Sequence, residues 1–417
     1  MTSTETQGLV PARIAGTRPG SIGEALAGHR NSLGVIRLVL ATAVIFDHAF
    51  PLGGFGPNPS LGWSRGQESI GGFAVAGFFA ISGYLIAKSG MNADVVQFLW
   101  RRVLRIFPAF WIVLLVGSLI VGPIAWLVMG RDLADYLTLG PGGPVAYFTG
   151  NADLTMRQWG IHDIFVDTPY GQAVHGSVFN GSLWTLAYEF GCYLIIAVLV
   201  MFGILKRARL LVLGITAFYF VMELASKIVP GAAGTVVPQL ADGYTLKLGL
   251  IFMIGATIAV YSKEIVFHDG LALLSAAAVI VSLRTSGWTL IGYPAFAYLL
   301  LWMAARLPKW SQRIGAKNDY SYGIYVYGFL VQQATAALGW YRWGYLPWVL
   351  STVVIAGGCA WLSWHGVEKW ALALKDWGPG RGVRYWYERS RSLARRSRAG
   401  RTSSPQQTTA EPESEVG

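Results

Sequence analysis

Long apolar runs separated by short polar stretches organise this chain. Runs near the length that crosses hydrocarbon, ~20 residues, lie at roughly 34–52, 72–89, 103–122, 184–203, 209–225, 246–262, 269–284, 287–305, 319–338 and 346–366. A backbone in lipid must satisfy its own hydrogen bonds, and the alternating ten-residue pattern of a barrel is absent. The pattern therefore predicts an all-α, polytopic integral membrane protein of about ten transmembrane helices. Residues 1–33 read as a polar N-terminal segment and 34–370 as the membrane domain, with a long loop at about 130–183. Residues 371–417 read as a basic, disordered tail.

Composition agrees: of 417 residues 53% are hydrophobic and 13% charged, against about 25% charged in an ordinary soluble domain. Cys192 and Cys359 sit inside apolar runs, without the spacing of a metal site. No short apolar core with a cleavage site precedes the first run, so no cleaved signal peptide is expected. The net charge of +11 would suggest nucleic acid in a soluble protein, but the cations gather in every second loop and in the tail. Arg13, Arg18 and Arg30 precede the first run, Lys206, Arg207 and Arg209 separate the fourth from the fifth, and Arg306, Lys309, Arg313 and Lys317 separate the eighth from the ninth. The long loop instead sets Arg131 and Arg157 against Asp132, Asp135, Asp153, Asp163 and Asp167, a net −3. The positive-inside rule then places both termini in the cytoplasm, which requires an even number of crossings. The arginine-rich tail is expected to attract anionic lipid headgroups rather than nucleic acid.

Ionisable residues within spanning helices are costly, and each is a candidate for function. Arg37 and His48 stand eleven residues apart on the first run, within roughly 20° of one stripe and about 16 Å apart along the axis. Asp47 adjoins His48. Glu189 on the fourth run falls at a depth where it is expected to meet His48. Arg101 and Arg105, one turn apart beside Arg102, would repel each other unless an anion lay between them, and a phosphate or carboxylate from the cytoplasm is the natural partner. Weaker signals are Ser82 and Gly83, which alone read as close helix packing, Trp184 as an interfacial anchor, and Asp319 as a helix cap before a belt of tyrosines that includes Tyr322.

Together these stretches resemble the acyltransferase-3 family of multi-spanning bacterial enzymes that O-acylate exopolysaccharides, O-antigens, Nod factors and macrolides. The matching elements are the Arg37/His48 pair, Phe78-Phe-Ala-Ile-Ser-Gly-Tyr-Leu-Ile86, Phe98 through Pro108, Ser182-Leu-Trp-Thr-Leu-Ala-Tyr-Glu189, Ser321-Tyr-Gly-Ile-Tyr325 and Glu368-Lys369, in the family's order over roughly 34–370. The resemblance implies a cytoplasmic acyl-CoA donor, most simply acetyl-CoA, no permanently bound cofactor, and a carbohydrate or glycolipid acceptor near the outer face of the bacterial cytoplasmic membrane. His48 would act as general base or transient acyl carrier, with Glu189 orienting it and Asp47 beside it. Arg37, Arg101, Arg102 and Arg105, with Ser82 and Tyr322, would hold the donor. Two positions depart from the pattern: Gly328 stands where many members carry histidine, and Trp370 where proline is usual.

No hydrolase-like domain is read after the tenth run, so transfer is expected from the membrane domain alone or with a polysaccharide-assembly partner or a second copy. The long loop, with His162 and His175, is expected to shape acceptor choice. The competing reading is a transporter or flippase for a saccharide or small metabolite, which would show repeated halves; none are evident. A membrane sensor or scaffold would have no need of His48.

Overall fold

Each of the ten runs is a helix in the computed structural model, which describes residues 20–28, 31–137 and 140–402, with side chains through residue 392. Seven helices are long and apolar enough to cross a membrane: α1 (Leu33–Gly53), α2 (Ile70–Gly90), α3 (Val95–Val128), α5 (Arg209–Ile228), α6 (Gly243–Val260), α8 (Trp288–Arg306) and α10 (Tyr345–Asp376). The other three, α4 (Thr185–Met201), α7 (Asp269–Thr285) and α9 (Ser321–Ala337), have 17 residues each, about 25 Å of rise against a hydrocarbon core of about 30 Å. Among the described residues there is no strand beyond one isolated bridge, Ser21 to Val266.

The helices alternate in direction, so the bundle has two unlike ends. The basic end gathers the start of α1, the end of α2 and the start of α3; the loop end carries the segments between α1 and α2, α3 and α4, and α5 and α6. The described N-terminal residues and the start of the tail meet at the basic end: Ile22 N donates to Ile265 O at 2.9 Å, and Gln97 Nε2 donates to Gly380 O at 2.9 Å. Arg13, Arg18 and Arg30 of the N-terminal segment lie outside the described residues.

Capping sets several boundaries. Ser69, Asp94 and Asp242 each accept backbone N–H bonds in the first turn of α2, α3 and α6, filling donors that a helix N-terminus otherwise leaves open. α2 and α6 pack backbone to backbone: a Cβ on Gly83 would lie 2.0 Å from Phe252 O, and one on Gly255 would lie 2.1 Å from Ala80 O. Gly83 thus serves the close packing expected of it. α9 is buried along nearly its whole length, between α1 and α10. Outward-facing Leu210, Leu211, Val221 and Ile228 on α5 are exposed, as a lipid-facing surface requires.

α3 starts earlier and ends later than the apolar run indicated. It spans 34 residues, carries Pro108, and contains a π turn at Gly117–Val121. The tail also differs: Gly382–Thr402 is a helix, α11, not a disordered segment. Arginine is a good helix former, one-turn contacts such as Arg384–Glu388 support it, and Val383 N donates to Asp94 at 3.0 Å. Residues 403–417 lie outside the described residues.

Candidate active site

At the basic end α1, α2, α3, α4 and α9 enclose a cavity of about 210 Å³. All six residues expected to hold a donor line it: Arg37, Ser82, Arg101, Arg102, Arg105 and Tyr322. Their cations are not equivalent. Arg37 and Arg105 both reach Asp319 Oδ2 at 2.5 Å, and Arg101 pairs with exposed Asp376 at 2.8 Å. The anion expected between Arg101 and Arg105 is thus supplied twice from within the chain. Asp319, read as a cap, does accept from Ser321 N at 3.2 Å, but it is chiefly the shared counter-ion of two arginines. Arg102 is different: its only side-chain hydrogen-bond partner among the described residues is Ser89 Oγ, at 3.5 Å. The Nε atoms of Arg101 and Arg102 are buried without a partner. Tyr322 holds this wall by donating to Ile106 O at 2.8 Å.

At the loop end a second cavity of about 450 Å³ is lined by His48 and Asp47 of α1, Glu68 and Ser69 before α2, Trp184 before α4, and Asp242 and Lys247 of the α6 start, among others. His48 packs edge-on against Phe329, with ring centroids 5.3 Å apart, and its Nδ1 lies 3.5 Å from Ser182 Oγ. Asp47 accepts Asn58 Nδ2 at 2.5 Å and Ser69 Oγ at 3.1 Å, which ties the α1–α2 connection down. Burial pushes the Glu68 carboxyl above the ordinary carboxylate range, against the pull of the Trp288 indole and the Lys247 charge.

Glu189 does not meet His48. Its Oε1 accepts Ser82 Oγ at 2.7 Å and Tyr193 Oη at 2.5 Å, and it lines the arginine cavity. The reason is axial rise. Ser182 is the residue level with His48, and Glu189 lies seven residues farther on, about 10 Å deeper. Ser182, Thr185, Glu189 and Tyr193 share one stripe carried into α4: the first faces His48 and the last two face the arginines.

Thr185 lies between, where the two cavities share a wall of Val75, Thr185 and Tyr325. Tyr325 Oη is 2.6 Å from Thr185 Oγ1 and donates to Ser182 O at 3.0 Å. A hydrogen-bonded septum thus separates the cation-lined space from His48, and it is anchored on the residue that touches His48.

The long loop lies beside the end of α1, with Tyr170 against Phe329 at 5.7 Å, but lines little of the cavity. Apart from Ser182 in its last turn, it contributes no lining residue to the His48 cavity among those described. His162 is a packing residue, its ring against Trp126 at 4.9 Å and its Nε2 3.1 Å from Tyr136 O, and Asn180 Nδ2 donates to Val326 O at 2.7 Å. Arg157 holds the loop's Asp153 carboxyl down at about 2. Trp184 lies edge-on to Tyr244 at 4.5 Å and lines the His48 cavity, so it is more than an interfacial anchor. Gly328 also has a packing cause: a Cβ there would lie 2.8 Å from Ile45 Cγ1, leaving no room for histidine. Sequence reasoning did not find the septum, Lys247 or Asp242. Lys247, a lysine one turn inside a hydrophobic helix, was the available signal.

Comparison with known proteins is consistent throughout. The acyltransferase domain family (acyltransferase-3) matches residues 30–365. The chain is 32% identical over 349 residues to an O-acetyl transferase of Shigella phage Sf6, covering 81% of this chain and 95% of the relative. It is 28% identical over 379 residues to Nodulation protein 10 of Rhizobium leguminosarum bv. viciae, covering 85% and 97%. No solved structure matches.

Proposed function

We propose that this chain, which belongs to the acyltransferase-3 family, moves an acyl group, most simply acetyl, from acyl-CoA in the arginine cavity to a carbohydrate hydroxyl in the His48 cavity. The family makes it a membrane acyltransferase; donor, acceptor and sidedness are the proposal. The observation that carries it is the pair of cavities meeting at one wall, cations on one side and an imidazole on the other. The basic loops support this reading: by the positive-inside rule the arginine end would face the cytoplasm, where acyl-CoA is made, and the His48 end the outer face of the bacterial cytoplasmic membrane.

In this reading Arg102 is the principal phosphate partner, because Arg37 and Arg105 already share Asp319. Lys375, which also lines the cavity, and the single positive charge left over by the Arg37–Asp319–Arg105 group assist it. The pantetheine arm extends past the septum and brings the thioester carbonyl to His48. With Nδ1 facing Ser182, Nε2 takes the proton of the acceptor hydroxyl as its oxygen attacks that carbonyl. The tetrahedral intermediate collapses, the C–S bond breaks, and the proton passes to the leaving CoA sulfur. Glu189, through Ser82 and Tyr193, fixes the arginine-side wall instead of orienting the base.

The test is His48→Ala in a null strain, with surface glycan analysed for ester-linked acyl groups and the protein level in the membrane measured alongside. General base catalysis is worth roughly 10²–10⁴-fold, so ester content is expected to fall to background at unchanged protein level. Unchanged acylation overturns the assignment. A transporter reading instead requires the variant to alter export while the glycan that does reach the surface keeps its esters.

A further inference from the structure

The His48 cavity holds three carboxylates, Asp47, Glu68 and Asp242, and one ammonium, Lys247. Each carboxylate is held in place by the protein. Asp47 is bound by Asn58 and Ser69, Glu68 receives the Trp288 indole N–H at 3.3 Å, and Asp242 caps α6 through Tyr244 N and Thr245 N. A carboxylate has about four lone-pair sites, so Asp47 and Glu68 are fixed with acceptor positions still open to ligand hydroxyls, whereas Asp242, which also accepts from Thr245 Oγ1 at 2.9 Å and bonds Tyr188, contributes its charge. Lys247 makes no hydrogen bond or ion pair among the described residues, and its charge acts on Glu68. Trp184 and Tyr244 add ring surface to the same wall. Carboxylates that accept from hydroxyls, beside rings that pack on an apolar C–H face, make a surface suited to a pyranose.

The sign of the field is the more specific feature. Three carboxylates against one ammonium leave an acidic excess in the lining. The long loop at the same end of the bundle carries five aspartates against two arginines. An anionic sugar would approach through a negative region and then be desolvated beside fixed carboxylates, whereas a neutral sugar meets acceptors for its hydroxyls and a protonated amino sugar meets an attractive potential.

Resting on the functional reading above, we propose that this cavity is the acceptor subsite and that it takes a neutral or amino sugar, discriminating against uronic and other acidic sugars. Lys247, Trp184 and Tyr244 are its binding residues, Asp242 supplies negative charge and holds the start of α6, and none of them is needed on the donor side.

The experiment compares glycans of strains carrying the wild-type chain, His48→Ala, Asp242→Asn or Lys247→Met, with the acylated residue assigned by mass spectrometry and nuclear magnetic resonance. In wild type the ester is expected on a neutral or amino sugar; an ester on a uronic or other acidic residue overturns the proposal. Asp242→Asn and Lys247→Met are each expected to lower ester content at least tenfold, while acetyl-CoA binding to the purified full-length protein stays within twofold. Full ester content in both variants overturns the subsite assignment, and so does parallel loss of acetyl-CoA binding, which would mark them as structural. Asp242→Asn disturbs a helix cap, so Lys247→Met, which removes no hydrogen bond, decides if Asp242→Asn fails to accumulate. Unchanged acylation in His48→Ala is a separate result and rejects the functional reading itself.

Discussion

The two cavities contrast in how their charges are matched. Of the cations that line the arginine cavity, all but Arg102 and exposed Lys375 have a carboxylate partner among the described residues, Asp319 serving two arginines at once. At the His48 end the surplus is acidic, and hydrogen bonds to Asn58, Ser69, Trp288 and the α6 backbone hold its carboxylates in place. One end is thus a partly neutralised scaffold that keeps one net positive charge on the Arg37–Asp319–Arg105 group and the unpaired Arg102 guanidinium beside it. The other sets fixed carboxylates around an imidazole. Placing a cluster of cations in a membrane domain is affordable because Asp319 removes most of the repulsion.

Asp319→Asn attacks the first half of that contrast. It leaves Arg37 and Arg105 facing each other without a counter-ion, and breaking a buried pair of this kind costs about 3–5 kcal/mol. The expected outcome is a clear drop in the unfolding midpoint of the detergent-solubilised protein, larger than for Arg101→Ala, whose partner Asp376 is exposed. Equal stability of the two variants would show that Asp319 is only the cap it resembles.

Arg102→Ala sharpens the same half. It removes the one uncommitted guanidinium, and a charge-assisted hydrogen bond contributes about 1.5–3 kcal/mol, so acetyl-CoA affinity is expected to fall about tenfold to a hundredfold with little change in thermal stability. Isothermal titration with the purified chain measures both quantities' separation when paired with a melting curve. Tight binding in Arg102→Ala would move the donor site elsewhere.

Tyr325→Phe is the smallest change and tests the wall between the halves. It removes the hydroxyl that joins Thr185 to Ser182 while keeping the ring packed on Phe78. Loss of one neutral hydrogen bond, about 1 kcal/mol, is expected to lower acyl transfer several-fold and to raise acceptor-independent release of free CoA thiol, because the septum excludes water from the thioester. Thiol release that stays at the wild-type level would make the septum mere packing.

The helices were legible because a bilayer imposes one length scale and one polarity rule, which seven of the ten meet, while α4, α7 and α9 fall short of the length at 17 residues each. The arginine cavity was legible for the same reason: Arg37, Arg101, Arg102 and Arg105 are expensive in a membrane and therefore conspicuous. Their counter-ion was not. Asp319 lies 282 residues from Arg37 and 214 from Arg105, and no local pattern distinguishes such a partner from a cap. Glu189 was expected beside His48, and lies beside Ser82 and Tyr193, because depth was judged from the ends of an apolar run. The first turn of α4 is instead preceded by Ser182, which takes the level of His48. Lys247 and Asp242 escaped notice because a cap and a lysine in the next turn look like an ordinary helix boundary until α1 and α2 are folded against them.

The most direct measurement uses membrane vesicles of known orientation, supplied from outside with radiolabelled acetyl-CoA. Inverted vesicles, which under the proposed orientation present the arginine end to the medium, are expected to transfer label to glycan in a His48-dependent manner, and right-side-out vesicles are expected to remain unlabelled. Equal labelling in both orientations, or labelling that persists in His48→Ala, would contradict a path from the arginine cavity to the imidazole.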